Sequence, residues 1–592
     1  MTDSKVQQFI QVLPRHQPRR PLGRAWLVLL MFAGCDSWHV EPKSGAGQPP
    51  VQTTTAPSSP KQLQTQLSFQ TLPASAGAVF TYQDGQEAGH VSILESLGGG
   101  LAAVDYDQDG DLDLFCPGGG HFGPQQSIAG HPPGLFRNEG EWRFTAETEP
   151  AQLTTAPRYS HGVAVADADN DGFPDLLVTG YGGLLLFHNQ GDGTFEEIAS
   201  QAGLADALWS SSAAWGDLNN DGLIDLYVAH YVDWSWKNHP KCPGPGPDER
   251  DVCPPKQFGP LPDIVYLNNG DGTFHDGTAA AGLRADGKGL GVLLADLDSD
   301  KKLDIYVTND TTPNFLYHNQ GAARFVEQGL ISGTGLGDRG NPDGSMGVEL
   351  CDFDRNGQPD LWVANYERES FALYQNLGNL SFRHVSRVRG IMAVGGLYVG
   401  WGTCVADFDL DGDEDIFVAN GHVIRYPTNS TFQQQPLLFD NIGQQGFSNV
   451  AAIAGDYMEA LHAGRGAIAA DFDNDGDLDL GISHINAPVN LLVNSTQNSH
   501  HWLSVRLVGT QSDRDAIGAR VTIRTEQGTQ TRYTYGGGSY ASSHDPRVYF
   551  GLAQDDHIES LDVEWLSGAQ THRDHVAADA ELLIIEPQTL NH

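Results

Sequence analysis

Seven short stretches of this chain set acidic side chains at a spacing that can wrap a cation. Asp105 opens "DYDQDGDLD", Asp167 "DADNDGFPD", Asp217 "DLNNDGLID" and Asp296 "DLDSDKKLD". Asp352 opens "DFDRNGQPD", Asp407 "DFDLDGDED" and Asp471 "DFDNDGDLD". The common pattern is D-x-[DN]-x-[DN]-G-x-x-D, with side-chain oxygens at positions 1, 3, 5 and 9. The first loop offers Asp105, Asp107, Asp109 and Asp113, with Asp111 at position 7. The second offers Asp167, Asp169, Asp171 and Asp175; the third Asp217, Asn219, Asp221 and Asp225. Asp296, Asp298, Asp300 and Asp304 form the fourth, and Asp352, Asp354, Asn356 and Asp360 the fifth. Asp407, Asp409, Asp411 and Asp415 follow, then Asp471, Asp473, Asp475 and Asp479.

With a backbone carbonyl from position 7, such a set encloses one hard cation, and glycine at position 6 permits the sharp turn that brings the chain back to it. Calcium suits a flexible, nearly all-protein oxygen set better than magnesium does, and zinc would want Cys or His. An EF-hand needs Glu at position 12, where the first copy has Cys116 and the seventh Ile482. For a single copy, metal-free Asx turns explain the pattern equally well. Across seven copies, 26 of the 28 side-chain positions are carboxylates, which repel one another unless neutralised. No ligand position is left open for a substrate, so up to seven structural calcium ions are expected. The fourth loop departs from the others. Lys301 replaces the glycine, at a left-handed cost of roughly 1 kcal/mol, while Lys302 gives only its carbonyl and is expected to point outward. This loop should bind as the weakest of the seven.

The same neighbours flank every loop. A short apolar strand such as "GVAVA" or "GVLLA" precedes it, and a second such as "DLYVAH" or "DIFVAN" follows. A third, such as "LLLFHN" or "FLYHNQ", then a glycine-rich turn and a fourth strand opened by Phe complete the unit. Four short strands repeated seven times predict an all-β chain with a seven-bladed β-propeller. A second period supports this: Phe195/Gly203, Phe274/Gly282, Phe325/Gly333, Phe382/Gly390 and Phe447/Gly455 share one spacing, although Phe144 lacks the glycine. The seventh unit lacks such an element, and Phe69/Gly77 stands orphaned before the first. The N-terminal strand is therefore expected to close the ring and remove its exposed edges.

Composition narrows the function classes. The 34 Lys+Arg against 75 Asp+Glu give a net charge of −41, which excludes nucleic-acid binding by phosphate neutralisation. Arginines 15, 19, 20 and 24 precede the apolar run "AWLVLLMFAG", which is too short to span a bilayer and reads as a signal peptide over residues 1–35. Its end at Cys35 resembles a lipobox, making Cys35 the expected lipidation site of an extracytoplasmic, cell-envelope or secreted protein. Residues 36–65, rich in Pro, Thr, Ser and Gln, read as a disordered tether. Cys242 and Cys253 bracket a Pro/Gly-rich insertion and are the expected disulfide in an oxidising compartment. Cys116, Cys351 and Cys404 lie beside strand patterns as buried thiols.

With "NQGDGTF" and "NNGDGTF" beside them, the acidic loops of residues 66–498 resemble the FG-GAP/VCBS repeats of integrin-like propellers. The tail, residues 499–592, resembles an ASPIC/UnbV domain through "HWLSVRLVGTQSDRDAIGARVTI", "YGGGSYASSHDPRVYFGLA" and "VEWLSGAQTH". The organisation is similar to that of the cartilage acidic protein family. That resemblance implies a calcium-binding extracellular propeller without a settled molecular activity. Read from its own residues, the tail shows six alternating runs, a small β-sandwich.

Residues just past the second strands belong on the face opposite the acidic loops. His230, Tyr231, Asn309, Asp310, Asn365, Tyr366, Asn420, His422 and His484 form a possible ligand face there; capping of turns is the plain alternative. "HRDH", His572 to His575, reads as surface or turn, and "GGGSYASSH" as a tight bend, without the setting of a nucleophile elbow. The expected function is therefore a non-enzymatic, calcium-binding protein for adhesion or for binding a protein or glycan. An enzyme or biosynthetic accessory, with its site on the propeller face or at the propeller–sandwich junction, is the competing expectation.

Overall fold

A computed structural model describes residues 67–588. The signal segment, the tether and Cys35 lie outside them. Each acidic loop joins the first two strands of a four-stranded antiparallel sheet, and we number the sheets by their loops. The first strands are Ala102–Val104, Tyr159–Ala166, Ser210–Gly216, Gly289–Ala295, Ser345–Cys351, Gly400–Ala406 and Gly464–Ala470. In six sheets the four strands follow chain order. In the seventh, Phe69–Thr71 supplies the outer strand, pairing Phe69 with Asn494 and Thr71 with Leu492.

The second strands are buried along their whole length, for example Asp304–Asn309 and Asp360–Asn365, apart from half-buried Tyr181 at the end of the second sheet's. They read as apolar runs rather than alternating ones because sheets stack on both of their faces. Each consecutive pair of sheets shares one apolar core. Leu293 and Tyr306 of the fourth pack with Val348 and Leu361 of the fifth. Ile468 and Leu491 of the seventh pack with Leu114 and Phe136 of the first, so the stack returns to its start.

The Phe/Gly spacing has a steric cause. In six of the seven units the glycine that ends the unit lies against the backbone of the next sheet's outer strand; the first unit has Gln152 there, also at left-handed φ. A Cβ on Gly77 would stand 1.9 Å from the Phe144 carbonyl oxygen, and one on Gly333 2.8 Å from that of Phe382. Both glycines also hold left-handed φ, +105° and +90°.

Seven strands in two sheets make up the tail. His501–Val508 lies between Val548–Ala553 and, in parallel, Ala580–Ile585. Gly528–Tyr533, Arg520–Thr525, His557–Glu564 and Gln570–Ala577 form the other sheet, and the two share one core including Val505, Phe550, Ile523 and Leu561. The sequence runs missed Gln570–Ala577, where the "HRDH" residues sit exposed within a strand rather than in a turn.

The "GGGSYASSH" segment is not a simple bend. It leaves the tail and threads among the first strands of all seven sheets. Gly536 and Gly537 pair with Leu294 and Leu293 of the fourth. Ser543 exchanges backbone hydrogen bonds with the first sheet at Ala103 and Leu101, and the Ala541 carbonyl accepts from Val163 of the second. Ser539 Oγ accepts from the Thr403 amide and donates to the Ala467 carbonyl, joining the sixth and seventh. Gly536 passes so close to Trp215 of the third that a Cβ would lie 1.9 Å from its carbonyl oxygen. Buried Glu349 of the fifth accepts from Ser539 N–H at 2.9 Å and Tyr535 O–H at 2.6 Å, and pairs with His544 Nε2 at 2.8 Å. The segment fills the space between the sheets as a plug.

Candidate metal centre

The seven acidic loops fold alike because their carboxylates satisfy their own backbone. The position-1 aspartate accepts the N–H of position 6, as Asp167 does from Gly172 at 2.9 Å and Asp407 from Gly412 at 2.7 Å. In the fourth loop Lys301 makes the same bond, at 2.9 Å to Asp296, with φ of +65°. The left-handed turn survives without glycine. Lys302 does not point outward: its ammonium pairs with Asp300, a position-5 ligand candidate. That contact reduces the loop's negative charge from within.

Position 9 ties each loop to its own third strand and to a neighbouring sheet. Asp304 accepts the N–H of Asn319, the last residue of Phe315–Asn319, at 2.9 Å. The Asn319 side-chain amide donates to the Leu303 carbonyl and, at 3.0 Å, to the Leu218 carbonyl in the loop of the preceding sheet. Every sheet repeats this bridge. Asn189 reaches Tyr106, Asn268 reaches Ala168, Asn376 reaches Leu297, Asn441 reaches Phe353 and Asn494 reaches Phe408. Asn138 reaches Phe472 and closes the cycle. The sequence reading passed over these asparagines, although each ends its third-strand run.

A cation fits this set. Buried carboxylate or amide oxygens without a hydrogen-bond partner recur at ligand positions: Oδ1 of Asp105, Asp107, Asp167, Asn219, Asp298, Asp354 and Asp407, and Oδ2 of Asp360. Native interiors leave few such atoms unpaired. Burial pushes the Asp113 carboxyl up to about 9 and Asp225 to about 8, with neighbouring carboxylates adding to the rise. A bound dication would offset both effects. Oxygens of Asp105, Asp107 and Asp113 converge within 4.8 Å of one another, as do those of Asp352, Asp354 and Asp360, and of Asp407, Asp409 and Asp411. Asp109, Asp111, Asp217, Asp221, Asn356, Asp415, Asp471, Asp473, Asp475 and Asp479 complete the remaining motif positions.

Two loops depart from an all-oxygen set. In sheets two and four the residue before the bridging asparagine is a histidine that reaches the loop's carboxylates. His188 Nδ1 lies 3.0 Å from Asp175 and 3.7 Å from Asp169. His318 Nε2 lies 3.3 Å from Asp298 and 3.8 Å from Asp300. Arg137, Leu267, Gln375, Asp440 and Val493 stand at the corresponding places elsewhere.

The tail sets basic side chains against the loop face. Arg514 pairs with Asp167 at 3.1 Å and Arg532 with Glu414 at 3.2 Å, while Arg547 donates to the Asp471 carbonyl at 3.0 Å. A cavity of about 580 Å³ remains between tail and loops, lined by Asp105, Asp407, His544, Arg506 and Arg514 among others.

On the opposite side the expected ligand face is closed. His230, Tyr231, Asn309, Asn365, Asn420, His422 and His484 are buried, and Asp310 and Tyr366 half-buried. Most of their polar groups serve the fold, while Asn365 Oδ1 and Asn420 Oδ1 are buried without a hydrogen-bond partner. His230 bonds Asp206 at 3.1 Å, Tyr231 O–H donates to Asp310, and His484 bonds Tyr457. Asn365 and Asn420 donate to the Ser370 and Gln435 carbonyls. Asn309 donates to the Pro313 carbonyl and accepts from Lys288, and His422 accepts from the Ile424 amide. The insertion, stapled by a Cys242–Cys253 disulfide, covers this side with Trp234 and Val252, and the plug's Tyr540 meets Trp401 there at 4.8 Å. Cys116, Cys351 and Cys404 are buried thiols. Among the described residues no helix is long and apolar enough to cross a membrane.

Comparison with known proteins agrees with this arrangement. The FG-GAP-like repeat model matches residues 126–178, 167–228, 259–307, 296–363 and 352–418, and the ASPIC and UnbV model matches 509–591. This is an FG-GAP repeat protein with an ASPIC/UnbV domain. Cartilage acidic protein 1 of Mus musculus is 27% identical over 526 residues, covering 83% of this chain and 74% of that protein. The Homo sapiens protein of the same name is 27% identical, covering 80% and 69%. Among solved structures, Saccharomyces cerevisiae Sqt1 aligns over 73% of this chain and 100% of its own at 9% identity, with a TM-score of 0.38, too low to add to the fold above.

Proposed function

We propose that this FG-GAP repeat protein is a non-enzymatic, calcium-stabilised binding protein of the cell exterior. In this reading the seven sheets are the blades of one propeller, the tail is a β-sandwich, and up to seven structural calcium ions pin the first two strands of each blade. The recurrence of buried, partnerless ligand oxygens at the motif positions carries the proposal. With the plug filling the space between the sheets and the insertion covering its far end, the outer edges are the open surfaces. Leu330 and Ile331 at the edge of the fourth sheet are 56% and 87% exposed, which suits a protein partner better than a soluble bystander. A glycan remains the other class of ligand. Export, with lipidation at Cys35, would place the protein at the cell envelope.

The cavity between tail and loops favours the enzymatic alternative by its position, but the tail's His544 and Asp545 on its wall are already engaged, and Asp105, Asp167 and Asp407 belong to the acidic loops. His544 uses Nε2 on Glu349 and accepts the Ala469 N–H at Nδ1, and Asp545 is held by Arg547 and Tyr549. Screening the calcium-loaded and chelated protein against protein and glycan arrays tests the binding role. Calcium-dependent capture of a defined ligand supports it; turnover of a small molecule lost on blocking the cavity contradicts it.

A further inference from the structure

We infer that the second and fourth acidic loops take a transition-metal dication of the zinc or manganese class, through His188 and His318. The inference rests on the proposal that these loops hold metal. Imidazole nitrogen is a borderline donor that suits first-row transition metals, whereas calcium prefers hard oxygens. Of the seven residues that precede the bridging asparagines, these two are histidines, and each stands among its loop's carboxylates. Oxygens of Asp169 and Asp171 gather with a His188 nitrogen within 4.8 Å of one another, and those of Asp298 and Asp300 with a His318 nitrogen. The shorter nitrogen-to-oxygen distance in each loop, 3.0 Å to Asp175 and 3.3 Å to Asp298, matches ligand-to-ligand spacings of roughly 3–3.5 Å around an ion bound at about 2.1 Å, while the longer ones, 3.7 Å and 3.8 Å, lie just beyond. Asp167, the position-1 residue of the second loop, is only 4% exposed and its Oδ1 has no partner. In the fourth, Asp298 is half-buried, and its Oδ1 is covered and without a partner.

The placement also explains how the fourth loop tolerates its lysines. A third-strand histidine adds a neutral donor where Lys302 has drawn Asp300 toward itself. The second loop keeps its glycine and has no lysine, so it should be the tighter of the two.

The test is competitive loading of the full-length protein. It is dialysed against manganese with a large excess of calcium, then analysed for metal content and by pulsed electron paramagnetic resonance for nitrogen-14 coupling to the bound manganese. Zinc in place of manganese gives a second metal count. The expected result is about two transition ions per chain, with imidazole coupling, that calcium does not displace. The double variant His188→Leu/His318→Leu, which places the leucine of the third sheet at both positions, should lose both ions and keep its calcium. Manganese that calcium displaces fully, or bound manganese without nitrogen coupling, overturns the inference while leaving the calcium reading intact. Loops two and four empty of every metal would overturn it as well, with the histidine itself standing in the ion's place. A chain that retains no metal of any kind would bring down both readings.

Discussion

Asn319 joins three elements with one amide: its own third strand, its own acidic loop and the loop of the preceding sheet. Asn319→Ala leaves the buried Leu218 and Leu303 carbonyls without their donor, at about 1–3 kcal/mol each. A loss near 3 kcal/mol in denaturant unfolding is expected; a loss below 0.5 kcal/mol would mean that the bridges are incidental. Lys302→Gln should act oppositely and locally. Freed from its ammonium partner, Asp300 becomes available to a cation, and metal affinity at the fourth loop should rise several-fold in calorimetric titration while the other loops are unchanged. The fourth loop of the native chain should remain the weakest for calcium, and equal occupancy during calcium titration would contradict that. The aspartates were legible because seven copies shared one spacing. The asparagines were equally regular, yet their partner carbonyls lie in a different sheet, some 80 to 330 residues away for those of sheets two and one, so no local pattern announced them.

Strands were legible from runs and turns, and so was the Phe/Gly element, although its cause was a contact between sheets. The plug was not. Gly, Ser and Ala in a short run look like a turn when the chain is read alone, because their partners are backbone groups of seven separate strands. Glu349 gathers three of those contacts. Glu349→Ala should cost several kcal/mol and make the 535–545 segment accessible to protease, whereas Glu349→Gln, which keeps an acceptor, should lose less. Unchanged proteolysis in the alanine variant would show that the plug does not depend on this carboxylate. The first and second strands also carry a pH dependence. Burial lowers His161 and His484 from 6.5 to about 4. Between those values the unfolded chain binds two protons that the folded chain refuses, so stability is full above pH 6.5 and falls as pH drops toward 4. The loss is on the order of 3 kcal/mol per histidine. Unfolding at fixed saturating calcium should show this slope, and His484→Gln should remove about half of it.

At the level of the molecule, sheets and tail fold into one another. The tail supplies the plug, its arginines face the acidic loops, and the N-terminal strand completes the seventh sheet. The repeats and the differently patterned tail were legible in the sequence, but their interpenetration was not, since it is a property of three-dimensional packing. Ending the chain at residue 498 should therefore give an insoluble or protease-sensitive product instead of a stable ring, and the intact protein should unfold in one transition. A soluble truncated form with the native melting temperature would contradict this. The most direct test of the central claim is calcium content paired with thermal stability. Each site saturated at a hundredfold over its Kd contributes about 2.7 kcal/mol, so five sites together, about 13 kcal/mol, are as large as an ordinary stability margin. Equilibrium dialysis against calcium should give at least five bound ions per chain, and chelation should lower the melting temperature by more than about 10 °C. A chain that binds no calcium, and melts at the same temperature with and without chelator, would contradict the account.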